Sequence, residues 1–110
     1  MSREELIAKV YEKCGWKAYA EDDQWAVRHP DGGGYWVAYI GLDEFISDIV
    51  PVLNERGWGF TLRLTFAHPD GRIRWVAVSN PRESDEWPYQ HISPDPVEAA
   101  FAVALEVLGE

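Results

Sequence analysis

Apolar residues recur at helical spacing near both ends of the chain and alternate in between. Leu6, Ile7, Val10, Tyr11 and Cys14 share one helical face behind Ser2, a capping residue with Glu5 three positions on, and Gly15 supplies a stop. Val97, Ala100, Phe101, Ala104, Leu105 and Leu108 form a broader stripe, opened by Asp95 as cap and Pro96 in the first turn and closed by Gly109. A third face, Phe45, Ile46, Ile49, Val50 and Leu53, ends at Gly57. Pro51 would sit inside that helix, so the regular helix is expected to begin near Ser47 or Asp48, with Leu42 to Ile46 as a separate turn or short piece. Four segments read as strands: Gln24 to Arg28, Tyr35 to Ile40, Trp58 to Phe66 and Ile73 to Ser79. Trp58 to Phe66 alternates most cleanly, with Phe60, Leu62, Leu64 and Phe66 facing one way. Glu21 to Gln24 reads as a polar approach to the first hairpin, and Asn80 to Ser93 as a long loop.

The strands come as two related hairpins. His-Pro-Asp-Gly occurs at His29 to Gly32 and again at His68 to Gly71, each followed by Trp-Val-Ala, and the thirteen-residue windows starting at Val27 and Phe66 share seven identities. Proline presets one turn dihedral and glycine accepts positive φ, so both copies are turns. Duplication and independent arrival at a favourable turn both account for the likeness. The pattern predicts a single α+β domain over residues 1–110, in the order α-ββ-α-ββ-α, with similar hairpin units at about 24–40 and 58–79. Its expected form is one four-stranded, mainly antiparallel sheet with helices packed on it, an α-β-α sandwich. Tyr35 to Ile40 and Trp75 to Val78 are apolar on both faces, which implies cover on both sides.

A chain of 110 residues is long enough to bury a core without a metal or disulfide. Ten basic against nineteen acidic side chains leave a net charge of -9, which opposes direct binding of a phosphate backbone. The start MSREEL lacks the features of a signal peptide and no stretch is apolar enough to span a membrane, so a cytoplasmic protein without membrane contact is expected.

The leading helix ending in Cys14-Gly15-Trp16, the run Ser47-Asp48-Ile49 continuing to Glu55-Arg56-Gly57 and the strand to Leu64, and the Ala-rich closing helix from Pro96 to Leu108 together resemble the phage ABA sandwich domain, a family of small phage and prophage proteins. The resemblance covers most of the chain through packing and capping patterns. It implies an α-β-α sandwich and a viral or prophage setting, and it brings no activity, cofactor or catalytic residue with it. Pro51 and the Asn80 to Ser93 loop depart from the family pattern.

No catalytic signature emerges. His29, His68 and His91 lack metal-ligand spacing, and the first two are expected to cap turn backbone. Gly32-Gly33-Gly34 leads from a turn into a strand, unlike a phosphate-cradling loop. Cys14 lies on an apolar face and reads as a buried small hydrophobe. Ser84, Asp85 and His91 have the residue types of a triad, but no nucleophile elbow surrounds the serine. No cofactor is expected.

Two surfaces are the candidates for function. In the long loop, Trp87, Tyr89 and His91 alternate behind the acidic Glu83, Asp85 and Glu86, a composition suited to anchoring a protein partner. The competing reading folds Trp87-Pro88-Tyr89 over a sheet edge as a shield. The second surface is a sheet face expected to carry Arg28, Trp36, Arg63 and Trp75, where guanidinium groups beside indoles suit an anionic, nucleotide-like ligand. Its competing reading is a helix-covered face on which the arginines pack along the indoles. The leading functional expectation is a phage or prophage accessory module, without enzymatic activity, that binds a host or phage protein. The alternative is a small-molecule binder, followed by an enzyme of sparse signature. Open hairpin edges also allow a homodimer.

Overall fold

In a computed structural model, which describes residues 2–67, 72–81 and 88–109, the chain opens with helix α1 (Arg3–Lys13). The Ser2 hydroxyl accepts the Glu5 amide at 3.2 Å, and the helix unwinds into Gly15 at φ +94°. Next comes a strand outside the four expected ones. β1 (Lys17–Glu21) pairs antiparallel with β2 (Gln24–Arg28) through a two-residue turn, Asp22-Asp23, with both residues at positive φ. β2 then pairs with β3 (Gly34–Trp36).

The expected strand Tyr35 to Ile40 is shorter than its apolar run. After Trp36 the chain enters a 3₁₀ turn, Val37–Tyr39. Val37 and Ile40, three apart on that turn, both enter the core, so the two-sided apolarity belongs to a turn and not to a strand buried on both faces.

The central helical run also departs from expectation. Helix α2 (Leu42–Glu44) passes into a π-helical turn, Phe45–Ile49, and then into α3 (Val50–Glu55). The Val50 amide reaches back five residues to the Phe45 carbonyl. Regular helix thus resumes later than Ser47 or Asp48. The wider turn precedes Pro51, which has no amide for the ladder and sits in the first turn of α3, where that loss is tolerated.

β4 (Trp58–Ala67) pairs with β5 (Arg72–Pro81), and β5 with β6 (Tyr89–Ser93). The end of the expected loop is therefore an edge strand. Helix α4 (Pro96–Leu108) follows, its Val97 amide donating to Asp95 Oδ1 at 3.0 Å.

The architecture is α+β, but the expected four-stranded sheet is replaced by two three-stranded antiparallel sheets, β1-β2-β3 and β4-β5-β6. Each is built from consecutive strands, and each hairpin acquires its third partner locally. The two hairpins also differ in register. Arg28 pairs with Gly34 and Trp36 with Ala26, whereas Ala67 pairs with Arg72 and Trp75 with Leu64. One loop is a residue longer than the other, so positions equated by the repeat have different neighbours. The main core joins α1, α4 and the π turn to the first sheet through Ile7, Tyr11, Val27, Val37, Phe45 and Phe101. Phe60 carries it into the second sheet by packing on Phe45, with ring centroids 4.8 Å apart. Ser79, fully buried there, donates to the Gly59 carbonyl at 2.8 Å.

Candidate functional site

Cross-strand pairing decides which side chains share a face. On the first sheet, Val27 and Trp25 pack against the core cluster, so the alternate residues face outward. The outward rows are Lys17, Arg28 and Gly34, and beside them Tyr19, Ala26 and Trp36. Two aromatic rings thus flank an alanine. Ala26 is only 4% exposed, while Tyr19 and Trp36 are 38% and 43% exposed. Gly34 sits opposite Arg28, and a β-carbon at Gly34 would overlap the Val27 carbonyl oxygen, so glycine is required by close approach of the backbone. Tyr19, Ala26, Arg28, Gly34 and Trp36 line a groove of about 220 Å³. Among the described residues Arg28 has no ion-pair partner.

Beyond Trp36 lies a second hollow of about 360 Å³, lined by Glu4, Glu5, Asp23 and Trp25 together with Trp36. One indole therefore separates a groove floored near a guanidinium from a hollow edged by carboxylates. Asp23 is placed there by the Asp22-Asp23 turn, whose φ values are 50° and 64°.

Beneath the sheet is a polar network in an aromatic setting. Tyr11, fully buried, donates its hydroxyl to Asp48 Oδ2 at 2.9 Å, tying α1 to the π turn. Tyr35, near enough for Asp48 to act on its hydroxyl, stacks on Trp16, centroids 5.7 Å apart, and Trp16 meets the His29 ring edge-on at 4.8 Å. Burial, then the Asp48 hydrogen bond and charge, push the Tyr11 hydroxyl well above the ordinary tyrosine range, and burial followed by Asp48 raises Tyr35 as well. Burial raises the Cys14 thiol to about 11, Arg56 pulling the other way, so it is a protonated packing residue at neutral pH.

The expected site residues are partly brought together. Arg28 and Trp36 are diagonal neighbours on one face. Arg63 and Trp75 belong to the other sheet, and there Arg63 pairs with Val76 while Trp75 pairs with Leu64, which puts them on opposite faces. The four do not form one surface, because a one-sheet fold was needed to align them. Tyr89 and His91 lie on β6, and Tyr89 stacks on Trp58 with centroids 5.4 Å apart. Glu83, Ser84, Asp85, Glu86 and Trp87 lie outside the described residues, as does His68. His29 Nδ1 accepts the Asp31 amide at 3.0 Å, the turn-capping role expected of it. Among the described residues no three His, Cys, Asp or Glu side chains cluster as metal ligands would, and no helix is long and apolar enough to cross a membrane. Lys17, Tyr19 and Asp48 were not singled out by sequence. Alternation in Lys17 to Glu21 is the signal for the first two, obscured because most of that strand is exposed.

Comparison with known protein families, with curated proteins and with solved structures finds no match in any of the three.

Proposed function

We propose that this chain is a non-enzymatic binding module that engages another protein through the outward face of its first sheet, with Trp36 as the central anchor. The observation that carries this is the row Tyr19, Ala26 and Trp36 beside Lys17 and Arg28, aromatic and arginine side chains of the kind that dominate protein interfaces. Tyr39, 81% exposed three residues beyond Trp36, extends the apolar area. The groove of about 220 Å³ falls below the roughly 300–1,000 Å³ of small-molecule pockets, so it suits one inserted side chain better than a nucleotide. The resemblance to phage ABA sandwich domains supports a phage or prophage product whose partner is a host or phage protein.

Affinity capture from cells producing the protein, followed by mass spectrometry, tests this reading. The wild type should retain a protein that the Trp36→Glu variant loses, while the exposed substitution leaves the melting temperature nearly unchanged. Identical captured sets from both would count against it. A second reading, capture of an anionic small molecule, is favoured by Arg28 lying beside Lys17 with no ion-pair partner among the described residues. Under it, a nucleotide should raise the melting temperature of the wild type and not of Arg28→Ala.

A further inference from the structure

Charge is unevenly divided along this acidic chain. Five of its ten basic residues, Arg56, Arg63, Arg72, Arg74 and Arg82, fall between positions 56 and 82, where Asp70 is the single carboxylate. The remainder carries five basic side chains against eighteen acidic ones. Three of those five, Arg63, Arg72 and Arg74, lie on β4 and β5.

The second sheet has one covered face and one open face. Ala77 packs with Ala99 and Val103 of α4, together with Phe60 and Leu62, so the face shared by those strand residues is under the helix. The register puts Thr61 opposite Val78, Arg63 opposite Val76, and Val76 opposite Ile92 on the other face. Val76 at the centre of this face is only 4% exposed, screened by its neighbours, but Thr61 and Arg63 on one side are exposed and Ile92 on the other is 45% exposed although it is a large apolar side chain. Among the described residues Arg63 has no ion-pair partner.

We infer that this open face is a second docking surface, separate from the Trp36 groove, and that its occupant is an acidic segment of a partner protein. Arg63 supplies a planar guanidinium for a carboxylate, Val78 supplies apolar contact between the polar Thr61 and Gln90, and Ile92 supplies it across Val76 from Arg63. The face suits protein over nucleic acid. Among the described residues of this face there is no aromatic side chain for bases to stack on, and eighteen carboxylates elsewhere repel a polyphosphate.

The test is fluorescence anisotropy with a labelled short peptide alternating Glu and Val, its Gln and Val counterpart, and a labelled oligothymidylate of similar length. The Glu peptide should bind, weaken as salt rises from about 0.05 to 0.3 M, and lose at least about tenfold in affinity with Arg63→Glu. Arg63→Gln should give a smaller loss, the Gln peptide should bind poorly, and Trp36→Ala should change nothing, which separates this surface from the first. Circular dichroism and the melting temperature verify that both Arg63 variants fold. Absence of Glu-peptide binding, equal binding by Arg63→Glu, or tighter binding of the oligothymidylate would overturn the inference. So would self-association on size exclusion that Arg63→Glu abolishes, because the occupant would then be a second copy of the chain.

Discussion

Tyr11→Phe isolates one hydroxyl group. The ring keeps its edge contact with Trp16 at 4.8 Å and its stacked contact with Phe101 at 6.1 Å, so the change removes only the bond to Asp48. A hydrogen bond to a charged group contributes about 1.5–3 kcal/mol. Asp48 is half-buried, so water reaches it, and it retains a long Ser47 contact at 3.4 Å, which places the loss near the lower end, about 1.5 kcal/mol. For a domain of this size that corresponds to a melting temperature lower by roughly 6 °C. The alkaline limb gives an independent reading. Burial and Asp48 raise the Tyr11 hydroxyl in the folded protein, so the unfolded chain releases that proton first. The resulting stabilisation is complete below about pH 10 and is lost as pH rises beyond it, with a slope of about 1.4 kcal/mol per pH unit for one proton. Urea unfolding from pH 7 to 11 should show the variant less stable at pH 7 and less steep above pH 10, with some slope remaining because Tyr35 is raised in the same direction. A variant as stable as the wild type at pH 7, with an unchanged alkaline slope, would refute the claim that this hydroxyl bonds a charged Asp48.

At the other end of the core, Asp95 caps α4 and meets Arg3 Nε at 2.7 Å, both side chains being about one-third exposed. Asp95→Ala should cost about 1 kcal/mol through the cap, and the Arg3 pair adds at most about 0.5 kcal/mol at that exposure. Burial pushes the Asp95 carboxyl up, but the Arg3 hydrogen bond and charge and the Val97 amide outweigh it and hold the carboxyl below its ordinary value. Its contribution is therefore present above about pH 4 and is lost as pH falls through the lowered folded value, a limb that Asp95→Ala should remove from an acid titration of stability. Replacing Asp22-Asp23 by Asn-Gly should stabilise the protein by about 1 kcal/mol, since both positions hold positive φ and Asn-Gly adopts that turn with less strain. An unchanged urea midpoint would show that the turn stores no such strain.

Features that depend on near neighbours were readable in the sequence. The Ser2 and Asp95 caps, the stop at Gly15, the alternation from Trp58 to Phe66 and the His29 turn all follow from residues within a few positions of one another. β1 was hidden because four of its five residues are exposed and its turn is Asp-Asp in place of a glycine pair. Sheet membership was hidden for a different reason. The likeness of the two hairpins suggested equivalent strands, but loop length and not the His-Pro-Asp-Gly corner sets register, and a third strand from a neighbouring segment satisfies each hairpin edge. Arg28 and Trp36 were legible as a pair because they flank one turn. Arg63 and Trp75 were misplaced because a one-residue difference in pairing turns a side chain to the other face.

The main core mixes Ile7, Val10 and Tyr11 with Phe101, Ala104 and Leu108, while both sheets are assembled from consecutive strands. During synthesis each meander can therefore form soon after it emerges, yet the apolar side of α1 waits for the last helix to arrive. The protein behaves like a clasp whose two halves lie far apart along the chain, and until it closes the nascent chain exposes the surface on which its stability later depends.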